Sequence, residues 1–103
     1  MTAENTARHV YVTETFDRAA RRIAKRSPEL TEHIHAAVVL LGANMFAASL
    51  RTHKLKGELR GCWACSVTYD VRIVFEIGAP QKINGFTAEA IFLLTVGTHD
   101  EVY

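Results

Sequence analysis

The chain has 103 residues, of which 49% are hydrophobic and 22% charged, and its formal net charge is +1. That length supports one domain around one modest core, with an ordinary globular composition. No apolar run approaches the ~20 residues that a membrane-spanning helix needs, and a strong nucleic-acid binder is usually more basic overall.

The small net charge hides an uneven distribution. Arg18, Arg21, Arg22, Lys25 and Arg26 fall within nine residues that contain no acid. Arg51, Lys54, Lys56 and Arg60 fall within ten, opposed only by Glu58. The first cluster reads as a solvated face. The second also suits a basic rim around a site, because attraction to phosphate depends on the local field.

In chain order, Met1 to His9 is polar and lacks the apolar core of a signal peptide, so a cytosolic protein with its first eight residues frayed is expected. Val10-Tyr11-Val12 is a short β-prone segment. Phe16, Ala19, Ala20, Ile23 and Ala24 then recur at helical spacing, with arginines opposite. Ser27-Pro28 reads as the end of this helix and the start of the next, with Ser as a cap and Pro in the first helical position. Leu30, Ile34, Ala37, Val38 and Leu41 form the apolar stripe of the second helix, and Gly42 is the expected stop. So tight a connection predicts an antiparallel helical hairpin.

Beyond residue 49 the period changes to two. Trp63, Cys65 and Val67 alternate with Cys62, Ala64 and Ser66, and Val71, Ile73, Phe75 and Ile77 alternate with Arg72, Val74 and Glu76. A single strand over this stretch would far exceed the usual ~5–6 residues, so a turn is expected at Thr68-Tyr69-Asp70. Gly78 to Gly85 reads as a loop, and Ala88–Val96 as a third strand. Within it, the run Ala90 to Leu94 suggests burial on both faces. The predicted class is α+β: a short N-terminal strand, a helical hairpin, and a small antiparallel sheet packed on the helices.

Cys62-Trp63-Ala64-Cys65 has the C-x-x-C spacing of redox and zinc motifs. In a strand, however, residues three apart point to opposite faces, so the thiols diverge. No second C-x-x-C or nearby histidine pair completes a metal site, and Trp63 reads as a core residue. Among the histidines, His9 lies near the N-terminus, and His33 and His35 are two apart on a helix and do not share a face. His53 stands among cations, between the helices and the sheet. His99 and Tyr103 fall just past the end of the third strand, held by a rigid element yet open to water. Imidazole is the side chain whose ordinary pKa, roughly 6.5, lies nearest neutrality, so this is a natural place for proton transfer. Asp70 and Arg72 flank the hairpin turn: Asp favours turns, and Arg can grip phosphate through two parallel hydrogen bonds.

The order of motifs is more specific than any one of them. A helical hairpin precedes His53-x-Leu55-x-Gly57, then Gly61-x-Trp63, the turn at Asp70, Arg72-Ile73-Val74-Phe75, and finally Val96-Gly97-Thr98-His99 with Tyr103 at the end. Over about residues 8–103 this resembles the RelE/ParE superfamily of bacterial toxins, most closely its YafQ-like ribonuclease branch.

The resemblance implies a single RelE-like domain spanning residues 1–103. It implies a cytoplasmic type II toxin that cleaves messenger RNA on the ribosome, with no metal or other cofactor and no membrane. A cognate antitoxin would bind it, and operator DNA would be reached only through that complex. The YafQ-like pattern places catalytic roles on His53, Asp70, His99 and Tyr103. It has a histidine where this chain has Ser66, whose hydroxyl cannot act as a general base near neutral pH. The RelE-type branch relies on basic residues, a part open to Lys54, Lys56 and Arg72. Catalysis is therefore expected from His53, Asp70, Arg72 and His99, and RNA contact from Lys54, Lys56, Ser66 and Tyr103. Two alternatives share the fold: a ParE-like inhibitor of DNA gyrase, and an inactive member that only binds its antitoxin. The nuclease reading expects the rings of His53 and His99 to converge on one concave side of the sheet.

Overall fold

Thr13 joins the first two elements of the computed structural model, which describes residues 8–103. It follows strand β1 (His9–Val12), and its hydroxyl accepts the Phe16 N–H at the start of helix α1 (Glu14–Arg26). The same hydroxyl donates to the Leu93 carbonyl at 2.6 Å, tying the helix start to the sheet. Acids in the first turn of α1 and Lys25 and Arg26 in the last complement its dipole. Ser27 closes α1 through its N–H to the Ile23 carbonyl (2.8 Å) rather than capping the next helix. Helix α2 (Glu29–Ala43) begins after Pro28 with no side-chain cap. Gly42 is not its stop: it lies in the last turn, and its carbonyl accepts the Arg8 N–H at 2.9 Å. Arg8 also pairs with Glu89 at 2.7 Å, so it is anchored rather than frayed. The rest of the expected frayed segment, residues 1–7, lies outside the described residues.

Short 3₁₀ turns at Ala48–Leu50 and Gly57–Leu59 bracket strand β2 (His53–Lys54). Strands β3 (Trp63–Ser66), β4 (Val71–Ile83) and β5 (Phe86–Thr98) follow, and helix α3 (His99–Val102) ends the chain. The sheet order is β1-β5-β4-β3-β2. The β3–β4 and β4–β5 pairs are antiparallel as expected and the unexpected edge strand β2 is antiparallel to β3, but β1 joins β5 in parallel, so the sheet is mixed. The α1–α2 hairpin between β1 and the rest supplies the crossover that a parallel pair requires.

The loop expected over residues 78–85 is instead part of one long hairpin, with β4 reaching Ile83 and β5 starting at Phe86. The turn is Asn84-Gly85, with φ of 51° and 84°. Two positive φ values at an Asn-Gly pair define the turn whose twist matches that of antiparallel strands. The prolyl nitrogen of Pro80, which has no N–H, falls at a register shift between Gly78 and Gln81.

A second shift sits between Val74 and Phe75, where Leu94 is passed over in the pairing. It brings Leu93 and Val96, three apart in sequence, to the same core side. With Cys65, Val71, Ile73, Phe75 and Ile91 they meet Phe16, Ala19, Ile23, Ile34, Ala37 and Leu41 of the helices. The helices cover one face only. Phe92 and Leu94 are therefore half-buried, where burial on both faces had been expected. Cys65 lies in the core and its burial pushes the thiol up to about 12, while Cys62 belongs to the other face and is raised by its own burial and by Glu76. Neither thiol is poised as a nucleophile.

Candidate active site

The alternation of β3, β4 and β5 sends Cys65, Ile73 and Val96 into the core, and their neighbours to the open face. Ser66, Arg72 and Gly97 form one cross-strand row on that face, and the next pair along is Val71 with Thr98. Past it the His99 N–H donates to the Asp70 carbonyl at 3.1 Å. Backbone pairing thus brings Asp70, Arg72 and His99 to one end of the sheet.

Arg72 is pre-oriented. Its Nη1 donates to the carbonyls of Thr68 (3.0 Å), Tyr69 (2.8 Å) and Val71 (3.4 Å), which fixes the guanidinium on the turn through a single nitrogen. The other two nitrogens make no hydrogen bond among the described residues, so the fork keeps capacity for an anion. Arg72 borders a cleft of about 300 Å³ that it shares with Arg51, Ser66, Thr68 and Tyr69. Tyr69 is 96% exposed at the turn. Arg51 and Tyr69 were not singled out from sequence. Arg51 stood in the second basic cluster, but only the fold shows that it faces Arg72 across a cleft.

Helix α3 has four residues and depends on its cap. Thr98 accepts the Glu101 N–H (3.3 Å), and the Glu101 carboxylate accepts the Thr98 N–H (2.9 Å). Glu101 also pairs with Arg26 at 3.6 Å. The Thr98 N–H holds this carboxyl below its ordinary 4.5, against a smaller opposing effect of burial and with further help from Arg26 and Arg22. Gly97 makes the fold-back possible, since a Cβ there would meet Glu101 Oε1 at 2.9 Å and Val102 Cγ1 at 3.2 Å.

Because the folded-state pKa of Glu101 is depressed, its contribution is present above 4.5 and lost as pH falls through the folded value. Protection of the Thr98 and Glu101 amides, taken against the intrinsic exchange rate at each pH, is expected to fall on acidification below about pH 4.5, before the sheet opens. Glu101→Ala, which removes the acceptor, should lose protection at neutral pH as well. Equal protection of parent and variant at both pH values would contradict the cap.

On α3 the His99 and Tyr103 rings meet edge to face, with centroids 4.5 Å apart. His99 remains exposed, and its Nδ1 lies 3.8 Å from Asp100. Burial raises the Tyr103 phenol and Arg72 pulls it part of the way back, so the hydroxyl stays neutral near pH 7 beside that cation. Asp70 is exposed and forms no ion pair among the described residues.

His53 is not in the expected loop. It sits on the edge strand, paired with Ala64, and therefore shares the open face. Its Nδ1 bonds the Arg51 carbonyl at 2.9 Å. A carbonyl only accepts, so Nδ1 carries hydrogen, and in the neutral ring Nε2 is left as an outward acceptor. Three strand spacings separate β2 from β5, or roughly 14 Å at ordinary sheet dimensions. The two imidazoles are not neighbours.

Lys54 and Lys56 depart furthest from the expected cluster. Lys54 pairs with Trp63, turning to the helix side, where its ammonium lies 5.5 Å from the indole centroid. Lys56 follows Leu55, whose N–H bonds Cys62, and so lies toward the end of the sheet away from His99. His9 is on β1, and His33 and His35 are exposed on α2, all outside the cluster.

Over residues 8–103 the chain matches the family described as "Bacterial toxin of type II toxin-antitoxin system, YafQ". No curated protein matches it significantly in sequence. Among solved structures, a mutant of YafQ from E. coli superposes with a TM-score of 0.72 at 16% identity, over 93% of this chain and 98% of that one. A YoeB/ParE toxin from Agrobacterium tumefaciens gives 0.69 at 15%, over 88% and 98%. YafQ in the DinJ–YafQ complex of E. coli gives 0.68 at 16%, over 93% and 98%. At these identities the superpositions establish the shared fold, and the match along the sequence establishes the family. The chain is a member of the YafQ family of bacterial toxins of type II toxin–antitoxin systems.

Proposed function

We propose that this toxin is an endoribonuclease that cleaves messenger RNA in the cytoplasm, on the ribosome, with the RNA 2′-hydroxyl as nucleophile. The observation that carries this reading is the cluster at the end of the sheet: Arg72 anchored through one nitrogen, with Asp70 and His99 joined by a backbone hydrogen bond beside it. Asp70 takes the 2′-OH proton. The 2′-oxygen attacks phosphorus, and the bond to the 5′-oxygen breaks as His99 delivers a proton to it. The products are a 2′,3′-cyclic phosphate and a 5′-hydroxyl. Arg72, with Arg51 across the cleft, balances the negative charge that grows on the phosphoryl oxygens. Tyr103 and Tyr69 offer ring faces to bases, and Ser66 lines the path. His53, too far along the sheet to share one phosphate with His99, holds a flanking nucleotide through Nε2. No step calls for a metal or an organic cofactor.

The partner is a protein antitoxin encoded with the toxin, through which the complex meets operator DNA. The pairing of similar folds with antitoxins, DinJ with YafQ in E. coli and YefM with YoeB in Staphylococcus aureus, supports this.

The test is incubation of purified toxin with ribosomes translating a defined message, followed by mapping of RNA ends. Cleavage with 5′-hydroxyl and cyclic-phosphate ends is the expected result. Intact RNA beside inhibited gyrase supercoiling would instead assign the ParE-like activity, and neither effect would leave a binding protein.

A further inference from the structure

The helical layer stops short of one corner of the sheet. Trp63 and Ile77 lie on the helix side but only at the border of the core. Phe46, just past α2, lies edge-on against Trp63 with centroids 5.9 Å apart, and is itself 59% exposed. Beside the Trp63 indole opens a cleft of about 460 Å³, also bounded by Lys54, Leu55, Arg60 and Ile77. Lys54 stands over the indole. The floor is therefore apolar and the rim carries two cations. An exposed phenylalanine against a half-buried tryptophan, in such a setting, is characteristic of a protein-binding surface rather than of solvent-facing structure.

The chemistry selects the occupant. Among the cationic residues from 51 to 60 the only acid is Glu58, so an acidic segment is attracted and a basic one repelled. Nucleic acid is a poorer match, because the proposed cleavage cluster and the stacking rings lie on the opposite face and at another end of the sheet. We propose that this cleft seats an acidic, amphipathic segment of the antitoxin, with an apolar side chain against Phe46 and Trp63 and carboxylates toward Lys54 and Arg60. The inference rests on the antitoxin partnership proposed above, not on ribonuclease activity. It makes the cleft an anchoring surface remote from His99, so affinity for the antitoxin and cleavage of RNA can be separated by substitution.

Trp63 is the sole tryptophan, so toxin labelled with 5-fluorotryptophan reports this cleft through one fluorine resonance. Titration with the unlabelled, co-encoded antitoxin is expected to shift that resonance. Phe46→Ser and Arg60→Glu are each expected to weaken the complex by about tenfold or more while RNA cleavage stays at the parental level. If a complex forms with the resonance unmoved, or if both variants bind as tightly as the parent, the assignment of the cleft is wrong. If the parent forms no complex at all, the partnership itself fails. Thermal melting of each variant, both changed at exposed positions, separates lost affinity from lost fold.

Discussion

Replacing His99 with alanine is expected to slow RNA cleavage by about 10²–10⁴-fold, the usual contribution of a general acid. The argument starts from exposure. The His99 side chain is 60% accessible and belongs to no part of the core. Its backbone N–H, which bonds Asp70, survives the substitution, as does the Thr98–Glu101 cap. What is lost is the ring that protonates the departing 5′-oxygen and its edge contact with Tyr103. The melting temperature should hardly move. Single-turnover cleavage on programmed ribosomes is the measurement, with pH–rate profiles of both proteins. The bell shape of the parent should lose the limb that reports the acid. Because the Tyr103 contact also disappears, Tyr103→Leu serves as a second variant: a far smaller loss there assigns the large effect to the imidazole. An alanine variant as fast as the parent removes His99 from the reaction.

The largest expected effect on stability belongs to Phe75→Ala, at about 3–5 kcal/mol. Phe75 is fully buried, in register between Trp63 of β3 and Leu93 of β5. Its ring closes the core beneath the helices, and pleated strands held by backbone pairs on both sides have little freedom to collapse into the space it leaves. Against a total of roughly 5–15 kcal/mol for a domain, such a loss takes a third or more of the stability. Urea unfolding should show a lower midpoint at an unchanged slope. Tyr69→Ala, at a 96% exposed position, is the control and should leave the midpoint in place. A Phe75→Ala unfolding free energy within about 1 kcal/mol of the parent would mean that the core is not closed by this ring.

Much of the fold was legible because its signals are local. Helical spacing from Phe16 to Ala24 and from Leu30 to Leu41 marked both helices, and period-two alternation marked β3 and the first part of β4. The full length of the β4–β5 hairpin was missed, because residues 78–85 read as a loop. Asn84-Gly85 is itself a turn signal, masked by Gly78 and Pro80, which belong to a shift in register and not to a break in the strand. Asp70 and Arg72 were placed correctly relative to each other because a turn fixes residues two apart.

Other features have no local cause. Which strand β1 joins, and in which direction, depends on the crossover through α1 and α2 and on contacts some 80 residues apart, such as Arg8 with Glu89. Lys54 faces Trp63 and His53 the open side because a two-residue strand pairs in one register, and a slip of one residue would exchange them. The same pairing sets His53 three strands from His99, which no spacing in the sequence reveals. Sequence by itself determined the elements, the class and the chemical groups available. Only tertiary structure decided which of those groups share a face and an end of the sheet, because a strand's neighbours are set by hydrogen bonds to distant segments, whereas its own period is set by its own side chains.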